Sequence, residues 1–256
     1  MRADAGVVAA GDGRGGTRLV VLRGESPLLL RRTGQPVDGW VTVHLVGGAA
    51  GPLRGDELRL NLEVGPGARL EMRSVAASLA LPGRPAPPSR LTITASVAAG
   101  GMLRWLPEPL IAAAGCDHIA VTRVDVAEGG TLLWRDDLVC GRHEERSGTV
   151  RQDTMIRYGG VTLYRHELSV GPGAPGWEGA AVLGGRAVGT LVAVGTELPL
   201  GTAGPDAAVM PLAGGGTLAS AVGADIRSVA AALNPLCEQR APLPTAWRPA
   251  SAVPGR

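Results

Sequence analysis

Lysine and phenylalanine are absent from this chain. All 25 basic residues are arginine, so a Schiff-base amine, a Ser-Lys dyad and the lysine of a phosphate-binding loop are excluded. Cysteine is scarce. Cys116, Cys140 and Cys237 are an odd number, which argues against a secreted disulfide framework and for a reducing compartment. No apolar run approaches the roughly 18 residues of a membrane span. The N-terminal "MRADAGVVAAGDGRGG" lacks the continuous apolar core of a secretory signal. These absences predict a cytoplasmic protein with no membrane contact. The formal charge of +2 is spread without a basic run, so affinity for nucleic acid is not predicted.

What the chain does have is glycine, 39 residues of it, and a hydrophobic content of 45% over 256 residues. Val64-Gly-Pro-Gly67-Ala68-Arg-Leu70 resembles a phosphate-cradling loop, but its pattern recurs. Val97-x-x-Gly100-Gly101-x-Leu103 follows 33 residues later and Val126-x-x-Gly129-Gly130-x-Leu132 another 29 residues on. Intervals of this size mark repeated supersecondary units. Around the first copy Leu58, Leu60, Leu62 and Val64 alternate with polar residues, and Leu70 and Met72 do so after it. Period two on both flanks reads as strand, turn, strand. A phosphate loop would run into a helix, so the copies are read as hairpin turns with glycine supplying positive φ.

Gly159-Gly160, between alternating runs, marks a further hairpin, and a short apolar strand is predicted from about Ala187 to Val194. One helix is predicted late in the chain, on the stripe Leu218, Val222, Ile226, Val229 and Leu233, closed by Asn234-Pro235. Residues 1–16 are Gly/Ala-rich without periodicity and 241–256 are Pro-rich, so both are expected to be flexible tails. The prediction is a single all-β domain over 1–256, of stacked β-hairpins forming a β-helix-like sandwich with a helical element near the C-terminus.

Several residues invite chemistry. Cys116, His118, Cys140 and His143 supply a tetrahedral zinc ligand set, though not at zinc-finger spacing; buried small hydrophobes and ordinary histidines are the competing reading. Asp136 and Asp137 are adjacent on a strand and must point to opposite faces, with solvated charge the expectation. No serine lies in a nucleophile elbow. "RWLPEPLI" at 104–111 breaks a strand with tryptophan and proline, either a crossing between layers or an interface in which Trp105 is the anchor.

Taken together, "GAAGPLRGDELRLNLEVGPGARLEMRSVAAS", "GGMLRWLPEPLI", "VDVAEGGTLLWRDDLVCGR", the Gly159-Gly160 hairpin ending in "RHELSV", and the late helix followed by "LPTAWR" resemble the urease accessory protein D family, called H in some organisms. The resemblance runs over about residues 20–250. It implies a non-catalytic maturation scaffold of stacked strands with two helices near one end. It also implies partners: accessory protein F, the GTPase accessory protein G and the urease apoprotein. Nickel would be in transit through an internal tunnel, with no tightly bound cofactor. By family position Asp56 and Glu167 are nickel-path carboxylates, with Ser74, Ser78 and Asp137 as further polar positions; an ion pair of Glu167 with Arg165 is the competing reading. Trp105, Leu106, Pro107, Glu108 and Val229 are the interface expectations. The sequence departs from the family at Ala50-Gly51 and Glu108-Pro109. Two other classes stay open: a stand-alone metal-binding β-repeat module, and a metal-dependent hydrolase built on Cys116, His118, Cys140 and His143.

Overall fold

The computed structural model describes residues 1–175, 177 and 184–238. In chain order the strands are β1 (Arg2–Gly11), β2 (Thr17–Arg23), β3 (Leu28–Val37), β4 (Trp40–Gly47), β5 (Glu57–Val64) and β6 (Arg69–Ser74). They continue as β7 (Ser78–Ala80), β8 (Ser89–Val97), β9 (Met102–Leu106), β10 (Leu110–Ala112), β11 (Asp117–Val126) and β12 (Thr131–Val139). Then come β13 (Thr149–Tyr158), β14 (Val161–Val170), β15 (Ala187–Val194), β16 (Gly201–Gly204), β17 (Ala207–Pro211) and β18 (Thr217–Gly223), and finally α1 (Ile226–Glu238). The protein is mostly β, its strands stacked as in a solenoid.

Two sheets face each other. The first runs β14-β13-β11-β8-β5-β1-β2 and the second β16-β17-β18-β15-β12-β9-β6-β4-β3, with β10 beside β12 and β7 beside β10. The strands on either side of each repeated turn lie in different sheets. β5, β8 and β11 pair in parallel in one, while β6, β9 and β12 pair in parallel in the other. The three turns are therefore arcs between layers, not hairpins. Each carries its glycine at positive φ, Gly67 at 70°, Gly100 at 73° and Gly129 at 79°, where an L side chain would be strained.

The repeat is a vertical alignment. Val64, Val97 and Val126 are in register on one sheet, and Leu70, Leu103 and Leu132 on the other. All six are buried, and each such side chain contributes about 1.5–3 kcal/mol by leaving water. Successive arcs are tied by backbone bonds from Ala98 N–H to Val64 O (2.9 Å) and from Ala127 N–H to Val97 O (2.8 Å). True hairpins close the stack: β13–β14, turning at Gly159-Gly160 as predicted, and β1–β2.

Other expectations are corrected. Residues 2–11 are not a tail: β1 pairs with β5 from Arg2↔Glu57 to Ala9↔Val64. Its alternation was masked because Ala3, Ala5, Val7 and Ala9, all buried, are nearly as small as the glycines around them. Residues 241–256 lie outside the described residues. Leu218 and Val222 belong to β18, and α1 starts at Ile226 and continues through Pro235. Asp225 caps it, its Oδ1 accepting the Ser228 N–H at 2.9 Å. Val229 and Leu233 are fully buried on the outer face of the second sheet, where Gly189 leaves room: a Cβ there would sit 2.5 Å from Val229 Cγ1. Among the described residues no helix is long and apolar enough to cross a membrane.

Candidate functional site

Between the sheets lies a cavity of about 400 Å³. Its walls are mostly apolar, but a line of polar side chains enters it. Strand alternation puts His118, Ala120 and Thr122 of β11 on the inward face, all bordering the cavity. Register sets Ala120 beside Gln152 and Thr122 beside Thr154 on β13, and both β13 residues also border it. From the opposite sheet β12 contributes Asp136. Its Oδ2 accepts the Trp134 indole N–H at 2.9 Å and the Thr154 hydroxyl at 3.4 Å. A narrow extension shares Asp136, Gln152 and Thr154 and continues to Tyr164, His166 and Thr190. At the rim stand Ser74, Ser78 and Glu108, with the Glu108 N–H donating to Ser74 Oγ at 2.9 Å.

The electrostatics single out Asp136. Burial pushes its carboxyl up to about 6, against the pull of the Trp134 and Thr154 hydrogen bonds, and the neighbouring Asp137 charge pushes the same way. Among the described residues every donor in contact with it is neutral. Trp105 stacks on Trp134 with ring centroids 5.0 Å apart and planes 15° apart. Among the described residues its own indole N–H has no partner within hydrogen-bond distance, and it lies close enough to hold the Asp136 carboxyl down slightly. The result is a carboxylate without a countercharge, reached through a lined interior space.

Asp137 behaves differently. It too borders the cavity, but its carboxylate is held on the α1 side, where Arg135 Nε and Nη2 meet its Oδ2 at 2.9 and 2.7 Å. Arg135 Nη1 also donates to Asn234 Oδ1 at 2.6 Å. Burial pushes the Asp137 carboxyl up while this guanidinium opposes the shift. Both aspartates are interior, so the expectation of solvated charge is overturned; the opposite facing holds.

The remaining predicted residues are dispersed. Asp56 is buried outside the cavity wall, its carboxylate accepting the Met1 ammonium at 2.7 Å and the Leu53 N–H at 2.9 Å. Glu167 stands exposed on edge strand β14, and Arg165 lies 3.9 Å from Asp153 rather than paired with Glu167. Trp105, Leu106 and Val229 are buried in this chain, and the break at Pro107 leads from β9 to β10 within the second sheet, so the crossing between layers expected of it does not occur. They are core residues rather than exposed anchors, whereas Pro107 is half-buried and Glu108 exposed. The Cys/His set does not assemble. Cys116 and Cys140 are buried thiols, each pushed up to about 11 by desolvation, while His143 is exposed. Among the described residues no three metal-ligating side chains converge, so these four do not form a common ligand set.

Asp136 was missed as a site residue. Alternation showed that either Asp136 or Asp137 faces inward; only the position of the second sheet says which. Gln152 and Thr154 gave no signal beyond lying on a strand.

Comparison with known proteins finds likeness over nearly the whole chain. Residues 2–252 match the family model described as UreD urease accessory protein. A urease accessory protein UreD of Streptomyces avermitilis is 45% identical, covering 88% of this chain and 92% of its own length. One from Streptomyces coelicolor is 46% identical over 88% of this chain and 91% of the relative. One from Frankia alni is 41% identical over 93% of each.

Proposed function

The chain belongs to the UreD urease accessory protein family, and from that membership we propose that it is a non-catalytic scaffold for urease maturation. In this reading it docks accessory protein F, and through it the GTPase accessory protein G, on the urease apoprotein, and it passes nickel through the intersheet cavity. A role in urease maturation follows from the family; the docking order and the nickel route are our reading. The cysteines are free and buried, which supports a reducing, cytoplasmic setting.

The observation that carries the nickel route is Asp136. A carboxylate raised by burial and contacted only by neutral donors gains most from an arriving cation, which supplies the missing countercharge. Its oxygen is a weaker ligand for a first-row divalent ion than a thiolate–imidazole cluster would be. With no three-ligand cluster among the described residues, the cavity suits passage better than storage. Thr154, Gln152 and the Ser74–Ser78 rim offer neutral oxygens along the way, able to exchange with water ligands.

The test is Asp136→Leu, co-produced with accessory proteins F and G and the urease subunits. The complex with F should form normally, while nickel per urease and urease activity fall. Wild-type nickel content in urease matured by a normally assembled variant complex overturns the route.

A further inference from the structure

We propose that His118 Nε2 is a nitrogen ligand for a divalent metal ion inside the intersheet cavity, an assignment that rests on the reading of that cavity as the metal route. One tautomer satisfies both contacts of Ser89. Ser89 Oγ lies 3.2 Å from the Asp117 carbonyl oxygen and 2.9 Å from His118 Nδ1. A carbonyl can only accept, and with the single Ser89 hydroxyl proton directed at Asp117 the Ser89 oxygen accepts from His118, so that Nδ1 carries the ring proton. Nε2 is left with its lone pair, buried and without a hydrogen-bond partner among the described residues.

This is the arrangement found behind metal-binding histidines, where the distal nitrogen donates to an oxygen that fixes ring orientation and raises ligand basicity. The ring is 1% exposed and borders the cavity on the same strand face as Ala120 and Thr122. Burial pushes the imidazole down to about 4. Of the four Cys/His residues noted in the sequence, His118 alone borders this space. Gln152, beside Ala120, and Thr154 then lead from it to Asp136. A borderline ion such as Ni²⁺ accepts imidazole more readily than Mg²⁺ or Ca²⁺ does. A nitrogen station ahead of a carboxylate thus adds selectivity that oxygen ligands alone would lack.

The test uses the purified full chain with Ni²⁺ as the only added metal, read by nickel-edge X-ray absorption and by titration calorimetry. Wild type should show imidazole among the nickel ligands. His118→Gln, checked for folding by thermal melting, should lose that signature and bind Ni²⁺ more weakly, while His143→Ala changes neither. Ser89→Ala should keep the imidazole signal but lower affinity about tenfold, as loss of an orienting partner does. Nickel bound by wild type without imidazole, or an unchanged spectrum and affinity in folded His118→Gln, overturns the assignment. Failure of the route itself reads out separately, as undiminished urease nickel with Asp136→Leu.

Discussion

Replacing Asp136 with Asn should make the protein more stable and less useful. The substitution keeps an oxygen for the Trp134 indole and an amide that can reach Thr154 Oγ1, but it removes the charge. Burial raises the native carboxyl from 3.8 to about 6; at about 1.4 kcal/mol for each tenfold change in proton affinity, ionisation at pH 7 costs the folded state about 3 kcal/mol. The sign follows from the direction. The folded value lies above the unfolded one, so the native protein binds the extra proton between about pH 4 and 6, and its stability falls as pH rises through that window. Asn has no such dependence. At pH 7 the variant should gain about 1–3 kcal/mol, the lower end allowing for imperfect amide hydrogen bonds, which is roughly 2–4 °C in Tm per kcal/mol for a chain of this size. Urea unfolding of both proteins from pH 4 to pH 8 measures the difference directly, since the other carboxylates cancel. A variant that is no more stable at pH 7, or whose profile parallels wild type throughout, would show that the carboxylate is not desolvated and would refute the argument. The gain in stability should come with reduced nickel transfer, the exchange expected where a functional group sits in an unfavourable place.

Two further substitutions test the packing around the site. Trp105→Ala removes half of the Trp105–Trp134 stack and should lower stability by about 3–5 kcal/mol, seen in thermal melts, while the folded fraction keeps its affinity for accessory protein F; a large affinity loss at unchanged stability would restore Trp105 to the interface. Gly189→Ala places a methyl 2.5 Å from Val229 Cγ1 and from Asp137 Oδ1, and should lift α1 from the sheet at a cost of about 1–3 kcal/mol. Hydrogen exchange of the α1 amides would report it, and unchanged protection would contradict the tight seat.

Alternation made individual strands legible, and the recurrence of Val-x-x-Gly located the turns, because both are local properties. Whether a strand returns beside its predecessor or crosses to another layer is not local. β5 and β6 have the same period-two pattern in either case, and what separates them is pairing with chain about 30 residues away. The late stripe failed for a related reason: Leu218, Val222 and Ile226 are four apart, a spacing that puts side chains on one face of a helix and equally on one face of a strand. Trp105 looked like a surface anchor because its partner, Trp134, is distant in sequence. Within the site, the resemblance supplied Ser74, Ser78 and Asp137, which do border the cavity. It did not point to Asp136, whose importance comes from burial alone.

The cavity walls are two hydrogen-bonded sheets, and that constrains how anything could move through them. Widening the space by separating neighbouring strands would break backbone ladders, and spreading the layers would pull apart the aligned valine and leucine rows. If the cavity is a route, its bore is set by these two frames at folding. Adjustment falls to side-chain rotation at a few points, such as the Ser74–Glu108 rim and the Asp136–Thr154 pair. Traffic would then be governed by how quickly these groups exchange ligands, as in a rigid pipe fitted with small valves, and its rate could be tuned one residue at a time without disturbing the frame.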